Sequence, residues 1–197
     1  MLLYNSQVSG NCYKVRLLFS HLGIAYERRE MDVVDRSNRK EVLGELNPAL
    51  RVPTLVLDDG RSLGDSNAII SYFAEGTEYL PEDRFERAQV LQWLFFEQYS
   101  HEPNIAVARF WRIAGITPAP QDLEAKERGG RAALEALEGR LGAHPYLVGD
   151  RYSIADISLY AYTHVAPEGG FELEPYPGIR AWLARVATQP GHVAITD

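Results

Sequence analysis

Cysteine is almost absent from this chain: Cys12 is the single one in 197 residues. One thiol allows no intrachain disulfide, no CxxC redox pair and no cysteine-based zinc site, and a reducing, cytoplasmic setting is the expectation. Long apolar runs are lacking too. None approaches the ~18 residues a membrane span needs, so no membrane partner is expected. The opening MLLYNSQVSG has no basic region, long apolar core or cleavage site and is not expected to be a signal peptide. Positive charge is in deficit, with 20 Lys and Arg against 27 Asp and Glu and a net charge of −7. Without a basic block or a basic–aromatic stripe, no nucleic-acid partner is expected. Apolar content is plentiful, 46%, enough for the core of one large domain or two small ones.

The chain is organised around residues 51–68, RVPTLVLDDGRSLGDSNA. Val52 to Leu57 reads as a strand, Asp58-Asp59-Gly60 as a tight turn and Arg61-Ser62-Leu63 as the returning strand. Gly64-Asp65-Ser66-Asn67 then opens a helix. Pro53 cannot donate to a sheet ladder, so at a strand start it calls for a special turn, often a cis peptide. A cis Val52–Pro53 bond would leave the backbone of Val52 open to an extended peptide ligand. The helix start at Asp65-Ser66 suits a ligand carboxylate through its amides and a ligand ammonium through Asp65. Together these read as a site for a small peptide or amino acid. The same residues equally fit an ordinary hairpin in which Asp65 or Ser66 merely caps the helix.

In chain order, Leu2-Leu3-Tyr4 reads as a strand. Val15, Leu18, Phe19 and Leu22 form a helical face that Gly23 terminates, and residues 24–31 form a second strand. A loose helix over 35–44 leads to the hairpin. The order βαβ-α-ββα predicts a four-stranded mixed sheet with helices on its faces. After GTEYLPED (76–83) strand patterning ends. A long helix is predicted over 84–112, kinked at Pro103, then one over 121–141 with Leu123, Leu134, Leu137 and Leu141 buried. Two more open at Ser153 and Pro177. Ser153-x-x-Asp156 has the spacing of a capping box, with Tyr152 and Ile157 as its hydrophobic staple, a folding device and not a catalytic acid. The fold class is therefore α/β plus all-α.

Four pieces, Ser9 to Arg16, Arg51 to Leu55, Asp65 to Ile69 and Gly149 to Asp156, stand in an order and spacing that resembles the cytosolic glutathione transferase family, in its serine-using, theta-like and bacterial form. The resemblance covers essentially the whole chain. It implies a thioredoxin-like glutathione-binding domain over 1–76, a linker over 77–86 and an all-α domain over 87–197 that supplies the electrophile pocket. It also implies a cytoplasmic homodimer with detoxification as its role, glutathione as co-substrate, no metal and a small hydrophobic electrophile as the other substrate.

A thiol of pKa ~8.5 is mostly protonated at pH 7, and lowering that value by ~2 units needs ~2.7 kcal/mol of preferential thiolate stabilisation. A hydroxyl donor and a helix N-terminus together supply that amount. By the resemblance, Ser9 gives the hydroxyl, and Asn11 is a further donor toward sulfur. Cys12 is the competing candidate, for thiol–disulfide chemistry. For glutathione itself, Val52 and Pro53 meet the cysteinyl part and Asp65 and Ser66 the γ-glutamyl end. Asp65 stands where the family more often has Glu. Arg39, Lys40 and Arg51 are the candidate cations for the glycyl carboxylate. The segment from Phe95 to Arg112 is the expected pocket wall, with Tyr99, His101, Arg109, Phe110 and Trp111 as candidates; Glu97 and His101 lack a third ligand, so no metal is expected there. Two other functions share this fold: a glutathione-dependent oxidoreductase using Cys12 or two bound glutathiones, and a non-catalytic ligand-binding or interaction module.

Overall fold

Side-chain alternation in a four-residue strand explains the first half of the molecule. In β1 (Leu2–Asn5) Leu3 is fully buried on one face, while Leu2 and Tyr4 point to the other. Tyr4 there meets Met31 and Leu43, with Val52 and Val56 packed alongside. A computed structural model describes all residues 1–197, and they divide into two units, Met1–Glu75 with Pro190–Asp197, and Gly76–Gln189. In the first, α1 (Gly10–Leu22) links β1 to β2 (Glu27–Glu30), and α2 (Arg39–Leu43) precedes β3 (Thr54–Val56), β4 (Ser62–Gly64) and α3 (Ser66–Ala74). The sheet order is β2-β1-β3-β4, parallel between β1 and β2 and antiparallel elsewhere, the mixed four-stranded sheet read from the sequence. Leu3 pairs with Leu55, which is also fully buried, and Leu55 with Leu63.

The strand predicted over 24–31 is shorter, and its four residues, Glu-Arg-Arg-Glu, are all exposed on the sheet edge. Charge on an edge strand blunts pairing with other chains. Gly23 caps α1 in the left-handed conformation at φ 63°, as a glycine after the last periodic residue should. The last eight residues were placed with the helices, but 190–197 belong to the first unit, laid along α1 by bonds from Tyr13 Oη to Val193 O (2.7 Å) and from Ser20 Oγ to Gly191 O (2.7 Å). This strap covers the side of α1 that carries Tyr13 and Arg16, both buried although neither belongs to the apolar face read from the sequence.

The second unit is helical throughout: α4 (Arg84–Phe96), α5 (Glu102–Ile113), α6 (Pro120–Leu141), α7 (Ile154–Thr163) and α8 (Pro177–Ala187), with a short 3₁₀ turn at Ala166–Gly169. α4 starts inside the stretch expected to be linker, because Asp83 caps it through the amides of Phe85 and Glu86. Between α4 and α5 lies a π turn, Glu97–His101, in which Glu102 N–H reaches back five residues to Glu97 O. Pro103, at the start of α5, has no N–H to continue the ordinary ladder. The predicted kink is thus realised as a widened turn. In α6 the leucines at 134, 137 and 141 are buried as expected, but Leu123 is exposed.

The capping box at α7 is present, and its acid does more than cap. Asp156 is fully buried and accepts from Ser153 N (3.0 Å), Ser153 Oγ (3.2 Å), Leu147 N (3.1 Å) and the indole of Trp182 (2.9 Å). One carboxylate thereby ties the preceding loop, the start of α7 and α8 together. Burial pushes its pKa up to about 6 even though the four donors pull it down.

Candidate functional site

The loop between β1 and α1 is fixed from beneath. Arg16, 2% exposed, sends its guanidinium to Asn5 Oδ1 (2.8 Å), Ser6 O (3.5 Å) and Gln7 O (3.2 Å). Glu30 accepts from Asn5 Nδ2 (2.5 Å) and Gln7 N (3.1 Å). Ser9 N–H then bonds to Ser6 O (3.0 Å), which brings Ser9 to the N-cap of α1. Its hydroxyl oxygen accepts from Cys12 N–H (3.3 Å). An accepting hydroxyl keeps its own proton to donate, so capping the helix and donating to a ligand are compatible at Ser9. The residue is half-buried and stands at the positive end of a thirteen-residue helix.

Cys12 is a different case. It is fully buried, its sulfur accepts from Ser6 N–H (3.3 Å), and burial pushes its thiol up to about 11. A nucleophilic cysteine needs access and thiolate character. Cys12 has neither, which corrects its candidacy. It closes the loop as a packed residue of the first helical turn.

The N-termini of α1 and α3 meet. Ser66 Oγ donates to Asn11 Oδ1 (3.2 Å), and Lys14 Nζ donates to Ser66 Oγ (3.3 Å) and Asn67 Oδ1 (3.4 Å). Lys14 is fully buried, which is rare for a lysine, and puts a cation directly behind the Ser66 hydroxyl. Sequence reading missed it; the only signal was that Lys14 lies three and four residues from Leu17 and Leu18, on a flank of the apolar face. Asp65 caps α3 through Asn67 N (2.9 Å) and Ala68 N (3.0 Å) at φ 73°, a backbone region that costs a non-glycine residue energy and gathers at functional sites. It remains exposed. The bond between Val52 and Pro53 is cis, and Val52 lies outside the ladder, which begins at Thr54. Asn47 holds this corner through Arg51 O (3.2 Å) and Thr54 Oγ1 (2.9 Å). Gly64 leaves room for it, since a Cβ there would come within 2.6 Å of Asn47 Nδ2.

Of the three cations considered for a ligand carboxylate, Arg39 is a correction. It is 5% exposed and donates to Leu50 O (3.1 Å) and Asp32 O (2.9 Å), so it braces the loop ahead of Val52. Lys40 and Arg51 are exposed.

The residues expected in the electrophile pocket do not form one group. His101 is fully buried in the second unit, 2.9 Å from Thr163 Oγ1. Thr163 gives its own proton to Leu159 O, so the imidazole Nε2 carries the hydrogen between them. Arg109 is buried and paired with Glu168 at 2.6 Å. Both are corrected to core roles. Tyr99 lies on the π turn with 87% of its surface exposed, and Phe110 and Trp111 are half-buried near the end of α5.

A family model for the glutathione S-transferase N-terminal domain matches residues 3–78, and one for its C-terminal domain matches residues 92–190. A crystal structure of a glutathione S-transferase from Pseudomonas fluorescens superposes with a TM-score of 0.95 at 47% identity, covering 100% of this chain and 98% of that one. Glutathione S-transferase 2 of Anopheles gambiae is 30% identical, covering 93% of this chain and 88% of the relative. The disulfide-bond oxidoreductase YfcG of Escherichia coli is 27% identical, covering 91% and 87%. With both halves of its sequence matched, this chain belongs to the glutathione S-transferase family.

Proposed function

We propose that this protein is a glutathione transferase in which Ser9 activates the glutathione sulfur for attack on a small hydrophobic electrophile. The observation that carries this reading is the Ser9 hydroxyl, an acceptor toward Cys12 N–H with its proton left for a ligand, at a helix N-terminus joined to the second through Asn11 and Ser66. In this reading Val52 pairs its backbone with the cysteinyl part beside Pro53. Ser66, backed by Lys14, receives the γ-glutamyl carboxylate, and Asp65 receives the amine. Arg51, next to Val52, and Lys40 serve the glycyl carboxylate. The thiol proton leaves to solvent, and the sulfur lone pair forms the new C–S bond. In a substitution the leaving group departs with its bonding pair. Phe110 and Trp111 provide aromatic surface for the electrophile.

Calorimetric titration with glutathione tests the reading. Binding between about micromolar and millimolar, with an ultraviolet thiolate signal at pH 7 that persists in Cys12→Ala, is the expected result. No binding at several millimolar would remove the enzyme and leave an interaction module. A second reading, disulfide exchange through two bound glutathiones, is favoured by the name of the Escherichia coli relative. It requires turnover of a disulfide substrate with Cys12 absent.

The protein is further proposed to be a cytoplasmic homodimer. No helix is long and apolar enough to cross a membrane. Leu91, Phe95 and Tyr99 follow at four-residue spacing and are 48%, 67% and 87% exposed, with Phe85 exposed on the same helix. A face of this kind is unusual on a monomer. Tyr99 accordingly moves from pocket wall to subunit contact. Sedimentation should give twice the 22.2 kDa of the chain, and Phe95→Glu should give the single mass; an unchanged mass in the variant would place the interface elsewhere.

A further inference from the structure

We propose that residues 190–197 are a working part of the thiol-activating site: through Gln7 and Arg16 they set the loop that carries Ser9. The inference rests on the reading of Ser9 given above. It begins from three hydrogen bonds to this segment, two from Gln7 in the loop and one from Arg16 of α1 beneath it. Arg16 Nη2 donates to Ile195 O at 2.6 Å, and Gln7 Nε2 donates to Ile195 O at 3.1 Å and to Asp197 O at 2.9 Å. The same Arg16 nitrogen donates to Gln7 O, and Nη1 reaches Ser6 O. Ser6 O is in turn the acceptor for Ser9 N–H. An unbroken path of bonded groups therefore runs from Ile195 through one buried guanidinium to the backbone of Ser9.

The segment is itself well anchored. Tyr13 Oη donates to Val193 O, Ser20 Oγ to Gly191 O, and Arg28 Nη1 to Asp197 O (2.8 Å), while His21 Nδ1 lies 2.8 Å from Pro190 O. Tyr13, Arg16 and Ser20 are three or four residues apart, so they present one side of α1 to it. Most of these bonds end on main-chain oxygens of the segment, so its path, more than its side chains, is what α1 reads.

Why this should matter to chemistry is a question of tolerance. A hydroxyl donor acts on a developing thiolate only within a few tenths of an ångström of its proper place, and a group displaced by remote loosening loses effect steeply. Ser9 sits on a loop of four residues between β1 and α1, Ser6 to Ser9, held by the hydrogen bonds described above. Ile195 O holds Nη2, the nitrogen that also reaches Gln7 O, so a shift of the segment shifts the guanidinium and with it its bonds to Gln7 O and Ser6 O.

The test compares full-length variants by the pKa of enzyme-bound glutathione, read from ultraviolet thiolate absorbance against pH, together with the KM and kcat for glutathione. Gln7→Leu deletes both of its bonds to the segment while keeping its main-chain bonds to Arg16 and Glu30. Tyr13→Phe deletes a separate anchor, the hydroxyl's bond to Val193 O, and keeps the ring and the main-chain bond to Ser9 O. Each is expected to raise the bound thiol pKa by about half a unit to one unit and to lower kcat about three- to tenfold with KM little changed. Gln7→Lys, which restores two donors to the same carbonyls, is expected to recover most of the loss. If either variant folds and leaves the bound thiol pKa at the wild-type value while Ser9→Ala raises it, the segment is a structural strap only and the proposal is wrong. If Ser9→Ala itself leaves that pKa unchanged, the reading beneath the proposal fails and takes the proposal with it.

Discussion

Replacing Ser9 by alanine is expected to raise the pKa of enzyme-bound glutathione by about one to two units and to lower kcat/KM at pH 6.5 by about ten- to a hundredfold. The size follows from a hydrogen bond to a charged acceptor, about 1.5–3 kcal/mol, with the helix N-terminus left in place to keep part of the activation. Ser9 is also a cap, bonded to Cys12 N–H, so alanine should cost about 1 kcal/mol of stability. Glycine separates the two roles: it keeps most of the capping at a cost of a few tenths of a kcal/mol and still lacks the hydroxyl. Equal loss of activity in Ser9→Ala and Ser9→Gly, with thermal midpoints apart, is the expected pattern. The pH–rate profile of both variants should shift to higher pH, because the thiolate forms later. Recovery of wild-type activity in the glycine variant would show that capping alone mattered.

Asp156→Ala carries the largest expected effect on stability. The side chain removed is the only acceptor given to Leu147 N–H, Ser153 N–H and the Trp182 indole, all buried. Leaving such donors without a partner costs about 1–3 kcal/mol each, short of full addition, and a total of about 3–5 kcal/mol is expected. For a chain of this length the thermal midpoint should fall by roughly ten degrees or more. Asp156→Asn keeps one accepting oxygen and should lose less. The pH dependence has a definite sign. The folded-state pKa, about 6, lies above the unfolded value. Between about pH 4 and 6 the folded state holds the extra proton, so the stability contributed by this group is full below that window and is lost as pH rises through it. The amount is on the order of 3 kcal/mol. The wild type minus Asp156→Asn difference in unfolding free energy, measured from pH 4 to 7, should decline and then level off. A flat difference would mean the four donors offset burial.

Periodicity and punctuation made most of the architecture legible. Pro53 at a strand start announced the turn, Gly23 the end of α1, and Ser153 with Asp156 the start of α7, because each of these acts through its own neighbours in the chain. Ser9 and Asp65 were legible as helix caps for the same reason. The misassigned residues are those whose role depends on what covers them. Arg39, His101 and Arg109 read as available charge or polar surface, and each is buried against carbonyl, hydroxyl or carboxylate groups distant in sequence. Cys12 read as a competing thiol beside Ser9, since its place in the first helical turn suits a packed residue but does not reveal how deep the burial is. Lys14 was overlooked because a lysine on a helix flank is ordinarily solvated. The strap at 190–197 has no periodic pattern, and its bonds lie on main-chain oxygens that no residue type marks.

The π turn at Glu97–His101 puts an extra residue into the long helix, so the two halves are out of phase by about 100°. A seven-residue grid laid through α4 does not continue into α5. A face drawn straight on from α4 therefore lands on the wrong side of α5, where buried Arg109 meets the half-exposed Glu168.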